Sequence, residues 1–105
     1  VKKYFLSFEN LLNMPEHIMR IFWRSPEIDI DHLSKAFKGY DEGTTNKILG
    51  YLSKKNQAKY EPFEQPLSRR ELDSIHSSFV QLARKMHDNK EINLDDVLES
   101  TEMID

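Results

Sequence analysis

The chain has 105 residues, a net charge of −3, 31% charged and 38% hydrophobic residues, and no cysteine. This length fits one domain with a single core, and the lack of cysteine excludes disulfides, thiolate metal ligands and thiol nucleophiles. No apolar run approaches the roughly 18 residues that a membrane-spanning helix needs, so we expect no direct membrane insertion.

Apolar residues recur at spacings of three and four along most of the chain, which predicts an all-α fold, a compact bundle of about six short helices. No strand alternation is visible. Pro15 and Pro26 each lie near a predicted helix start, where the fixed φ of proline is tolerated. Asp31 is expected to cap the next helix, and Gly39 to end it in the left-handed conformation.

Caps also define the predicted helices of the second half. Thr44 or Thr45 can cap a fourth helix, and Ser53 a fifth one that Pro62 must kink or end. Ser68 and Glu71 match the capping box, in which each side chain accepts from the other residue's backbone N–H. A helix over 69–87 follows, and a final short helix is predicted over 92–98. The 69–87 helix carries one apolar stripe, formed by Leu72, Ile75, Phe79, Leu82, Ala83 and Met86.

The charges are unevenly distributed along the chain. Between positions 35 and 59 there are six lysines against two acids, whereas positions 88–105 hold seven acids and only Lys90 as a base. A basic middle and an acidic tail favour electrostatic recognition of another protein. Two solvated faces without a partner would give the same count.

Catalytic, metal-binding and cofactor-binding patterns are missing. The four histidines (17, 32, 76 and 87) form no two-histidine motif at a spacing of three or four, and the three glycines form no phosphate-binding loop. No serine or aspartate has a recognisable nucleophile setting. A pI near 5.8 argues against nucleic-acid binding. We therefore expect a protein-binding module, with no catalytic residue, cofactor, metal or nucleic-acid partner.

Several segments, in order, resemble one protein family. Phe8–Leu12 is similar to an F-E-D-L opening and Phe5–Phe8 to a Met-Phe-x-Phe hinge motif. Asp31–Gly39 resembles a D-L-x-x-A-L-K-G block, and Lys47–Lys55 a K-x-x-x-N-M-S-x-R stretch. The later matches are Pro66–Ser68 to G-P-V-R-L and Ala83–Ile92 to R-R-L-x-x-x-G-E-I. These are motifs of the C-terminal domain of the flagellar motor switch protein FliG, and the resemblance covers roughly residues 5–94.

The resemblance implies a helical domain at the cytoplasmic, inner-membrane face of the flagellar basal body. Its expected partners are the stator protein MotA, the switch protein FliM and other FliG subunits in a ring, and its expected roles are torque generation and control of rotation direction. Because the chain begins with Val1, we expect a fragment of a longer protein. Residues 1–12 would hold the hinge-like motif and first helix, and residues 13–105 the helical C-terminal domain.

The resemblance also implies functional residues. Lys38 matches the lysine before the family glycine, and Lys55 the arginine of the charged torque helix. Glu61 and Glu64 are the acids nearest to the family's aspartate pair, which has no clean counterpart, and the segment after Ala58 is about one turn shorter. A FliG-like adaptor or divergent paralogue without stator coupling is therefore the alternative. The expected stator contacts are Lys38, Lys55, Glu61, Glu64, Arg69 and Arg70, and the expected hinge residues are Phe5 and Phe8.

Overall fold

The computed structural model describes residues 6–95, which form six helices and no strand. This confirms the predicted all-α fold. Only α6 is long, with 20 residues. The helix predicted over 92–98 lies partly outside the described residues. The six helices are α1 (Phe8–Leu12), α2 (Glu16–Phe22), α3 (Ile30–Ala36), α4 (Glu42–Leu49), α5 (Lys54–Lys59) and α6 (Arg69–Asp88).

Three helix starts agree with sequence expectations. Pro15 is the N-cap of α2. The Ser53 hydroxyl accepts a hydrogen bond from the backbone N–H of Asn56 at the start of α5, a helix that ends at Lys59 before Pro62. Ser68 caps α6 by accepting from the backbone N–H of Glu71, over 3.1 Å. Its return bond differs from the predicted capping box, because the Ser68 hydroxyl itself donates to the Glu71 carboxylate.

Three other expectations were wrong by a few residues. The cap of α3 is Asp29, not Asp31, because the Asp29 carboxylate accepts from two successive backbone N–H groups at the helix start. The N-cap of α4 is Asp41, not Thr44 or Thr45. Pro26 starts no helix. It follows Ser25 in a turn closed by a hydrogen bond from the backbone N–H of Ile28 to the Ser25 carbonyl.

A complete capping box at α1 had no counterpart in the sequence predictions. The backbone N–H of Ser7 donates to the Asn10 side chain over 2.8 Å, and the backbone N–H of Asn10 donates to the Ser7 hydroxyl. Asn at the fourth position plays the part that Glu or Gln usually has. This pair of hydrogen bonds fixes the direction in which the chain enters α1.

The core lies where α6 packs against α1 and α3. Trp23 is fully buried, and its indole N–H donates to the carbonyl of Leu11 over 3.1 Å. The predicted stripe of α6 faces inward as expected, with Phe79, Ala83 and Met86 buried and the other three residues half-buried. An edge-to-face contact joins Trp23 to Phe8, and the Phe8 ring also stacks on His76 with ring centroids 4.2 Å apart.

Two left-handed residues end helices. Gly39, at φ +90°, follows α3 as predicted. After α6 the left-handed residue is Lys90, at φ 64°. The N–H of Lys90 donates to the His87 carbonyl and that of Glu91 to the Met86 carbonyl, which is the Schellman arrangement. Glycine takes this position without steric cost, so Lys90 is a strained choice.

Candidate protein-binding surface

Helix α5 carries three cations and no acid on the outside of the domain. None of its residues is buried, and Lys54, Lys55 and Lys59 are all exposed. The helix is held from its two ends. The Ser53 cap fixes the start, and the Tyr60 ring, in edge-to-face contact with Phe37, anchors the chain after the end. Its residues are therefore free to meet a partner while its backbone is fixed.

A groove beside α5 adds a fourth cation that the sequence did not indicate. Arg24, just after α2, lines this open groove of about 470 Å³ together with Lys55 and Lys59. The Arg24 guanidinium donates to the carbonyl of Tyr51 over 3.3 Å, across 27 residues of sequence. Asp29 and Asp31, at the start of α3, line the same groove. We call Arg24, Lys54, Lys55 and Lys59 the α5 surface.

Lys38, the other lysine among the expected stator contacts, makes contacts within the domain. Its ammonium donates to the carbonyl of Gln65 over 2.7 Å and lies 5.6 Å from the centre of the Phe63 ring. Lys35 lies over the same ring at 5.4 Å. These contacts hold the connection 60–68 against α3. Lys38 was expected to be an exposed charge, but it is half-buried and already bonded within the domain.

Glu61 and Glu64 lie in this same connection, and both are exposed. Within residues 6–95, neither carboxylate forms an ion pair with a basic side chain. Neither acid lines the groove that holds Lys55. The structure therefore does not bring the predicted acids and Lys55 into one site.

Arg69 and Arg70 are the first two residues of α6, and both are exposed. The N-terminal end of a helix carries a partial positive charge, so two cations there oppose the helix dipole. Arg69 forms only a long, exposed contact of 3.8 Å with Asp73. It shares a second groove, of about 460 Å³, with Lys38 and Glu9. Helix stability does not explain this pair of arginines.

Of the two predicted hinge residues, the structure describes only Phe8. Phe5 lies outside the described residues. Phe8 is the first residue of α1 and only 4% exposed, in contact with the rings of Trp23, Tyr40, His76 and Phe79.

Burial, followed by the charge of Glu9, raises the pKa of Tyr40, and burial also raises the pKa of Tyr60. Both phenols are therefore uncharged donors at neutral pH.

Clusters of metal-ligating side chains are missing from the described part of the chain. No group of three or more potential ligands among His, Asp and Glu comes together between residues 6 and 95. The two histidines at the core side of α6 are already engaged, His76 with the carbonyl of Ala36 and His87 with the N–H of Leu94. Across the same range, no helix is both long and apolar enough to cross a membrane.

The geometry is that of a helical domain with exposed charges set around a short surface helix. A family model described as the FliG C-terminal domain matches residues 1–94. The chain belongs to the FliG C-terminal-domain family. It is thus a flagellar switch and motor component, and proteins of this family are structural parts of the motor that assemble with rotor and stator partners. We found no matching curated protein and no matching solved structure.

Gly39 and Lys90, the two left-handed residues, both stand at glycine positions of the FliG-like motifs. Gly39 occupies the glycine of the D-L-x-x-A-L-K-G block, and its φ of +90° explains why a glycine is suited to that place. Lys90 stands where the G-E-I segment has its glycine, and its own backbone is left-handed, at φ 64°. At this turn the chain therefore has a left-handed backbone without the residue best suited to it.

Proposed function

We propose that this domain acts in the rotor of the flagellar motor by contacting the stator protein MotA through the α5 surface. The observation that carries this proposal is the set of exposed cations on a fixed helix whose six residues include no acid. Such a surface favours an acidic partner segment. Exposed charge pairs are each worth about 0–1 kcal/mol, so the contact can form and break repeatedly as the rotor turns.

The stator-contact residues of this proposal differ in their support. Lys55 is exposed and lies in the α5 surface with Arg24. Arg69 and Arg70 are exposed at a helix start, where their charges oppose the helix dipole, which favours a role in binding. Glu61 and Glu64 are exposed but isolated, so we give them a lesser share. Lys38 would act indirectly, by holding the connection that carries these two acids.

Further partners follow from the same proposal. FliM would set rotation direction by reorienting the domain, and neighbouring FliG subunits would complete a ring at the cytoplasmic, inner-membrane face of the basal body. Phe5 and Phe8 would form the hinge for that reorientation, joining residues 1–12 to the helical domain of 13–105. The burial of Phe8 against α6 supports a mechanical rather than a ligand-binding role.

Charge reversal tests the stator contact. In cells whose only copy carries Lys55→Glu and Lys59→Glu, we expect impaired swimming with normal folding, since both side chains are exposed. Reversing acids in the MotA loop should restore part of the motility. Because the charges act together, the single reversals should give intermediate defects. The matched control is Arg20→Glu, an exposed cation on α2 that lies outside the α5 groove.

Normal swimming by the stably folded double variant would reject the contact. The alternative is a FliG-like adaptor or divergent paralogue without stator coupling. It is favoured by the shortness of α5, which ends at Lys59 before Pro62 and leaves no acidic pair on the helix. A fluorescently tagged full-length protein separates the two functions. The rotor function predicts foci at flagellar bases, whereas diffuse fluorescence would support the adaptor.

A further inference from the structure

His87, near the end of α6, connects that helix to the segment that follows it. The backbone N–H of Leu94 donates to Nδ1 of His87 over 3.0 Å. The chain reaches this position by reversing direction at the left-handed Lys90. Ile92 and Leu94 are each 6% exposed, so the segment 91–95 closes one end of the core. The backbone of this segment is bonded to α6 at two places, at Glu91 through the Met86 carbonyl and at Leu94 through the His87 side chain.

The direction of this hydrogen bond fixes the protonation state of the ring. A backbone N–H can only donate, so Nδ1 must be an unprotonated acceptor, and the imidazole proton must be on Nε2. A second proton would convert Nδ1 into a donor facing another donor. The N–H of Leu94 would then lose its partner at a buried residue, which costs free energy and repels the segment. The bond therefore exists only while His87 is neutral.

His76 provides an internal contrast on the same helix. Its Nε2 lies 2.9 Å from the carbonyl of Ala36, and a carbonyl can only accept. This bond needs a proton on Nε2, which both the neutral Nε2–H tautomer and the imidazolium supply. Protonation thus leaves the His76 bond intact and removes the His87 bond.

We propose that His87 is a protonation-sensitive latch: proton uptake at Nδ1 releases the segment 92–95 from the end of α6, while Glu91 stays bonded to the Met86 carbonyl. Imidazoles change protonation between about pH 5 and 8, a range in which carboxylates and lysines keep their charge. The titratable groups that share the groove around His87 are His17 from α2, and Lys90 and Glu91 from the turn after α6. The other lining side chains include Ile18, Ile21 and Ile92, so release would enlarge an apolar surface.

Amide hydrogen exchange in the 105-residue chain, followed by NMR from pH 8 to pH 5, tests the latch. After correction for the intrinsic rate, exchange of the Leu94 amide should rise by about tenfold or more on acidification. The amide of Phe79, in the middle of α6, is the internal reference and should not change. Unchanged protection of Leu94 at pH 5 would overturn the proposal.

Three variants assign the response to His87. In His87→Asn, the amide oxygen can accept from Leu94 and does not titrate, so protection should lose its pH dependence. In His87→Phe, the ring remains but the acceptor is lost, so Leu94 should exchange rapidly at every pH. His17→Gln removes the other histidine of the groove and should leave the wild-type response. A response that disappears in His17→Gln would overturn the assignment, and the wild-type measurement stands even where a variant fails to fold.

Discussion

Replacing Lys90 by glycine should stabilise the domain. A left-handed conformation costs an L-residue roughly 1–2 kcal/mol, and glycine removes that cost. Glycine also makes the unfolded chain more flexible, which lowers the stability of the folded domain by about 0.4–1 kcal/mol. Because Lys90 has φ 64°, Lys90→Gly should raise the free energy of unfolding by about 0.5–1 kcal/mol. Since 1 kcal/mol shifts Tm by about 4–8 °C in a domain of this size, we expect a rise of about 2–8 °C.

Thermal unfolding followed by circular dichroism, with and without urea, measures this difference. Lys90→Ala is the matched control, because it removes the charge but keeps the strain, so its Tm should stay near that of the parent. Gly39→Ala should instead lower the Tm. Gly39 has φ +90° and no atom within 4 Å of the added Cβ, so the whole loss would come from the backbone. A Tm of Lys90→Gly at or below that of Lys90→Ala would refute the reasoning.

Two further predictions concern the proposed motor residues. Lys38→Met keeps the aliphatic stem but loses the bond to Gln65 and the contact with Phe63. We expect urea unfolding to show a loss of about 1 kcal/mol in stability, and a smaller loss for Lys38→Arg. Equal stability of the Met variant and the parent would mean that Lys38 is simply solvated. For the hinge containing Phe8, exchange of the amides of residues 8–12 should exceed that of Phe79–Met86. Equal protection would assign Phe8 to the core alone.

Local signals determined much of the fold. The stripe of α6 follows from apolar spacing alone, and five of its six residues lie in the core or pack against it. Ser53, Ser68 and Gly39 also took their predicted roles, since a cap or a left-handed turn depends on a few neighbouring residues. The errors were local too. Asp29 and Asp31 are both good caps, and the choice between them followed from Ile30, which is buried as the first residue of α3.

The sequence by itself also determined that α5 is short and basic, because its cap, its lysines and Pro62 lie within ten residues of one another. Only the tertiary structure decided which cations are available to a partner. Lys38 and Lys55 were both expected stator contacts from the sequence, yet Lys38 is bonded to Gln65 and Lys55 is exposed beside Arg24. The Lys38 and Arg24 bonds each span 27 residues. Such contacts depend on how the helices pack, and hydrophobic periodicity carries no information about them.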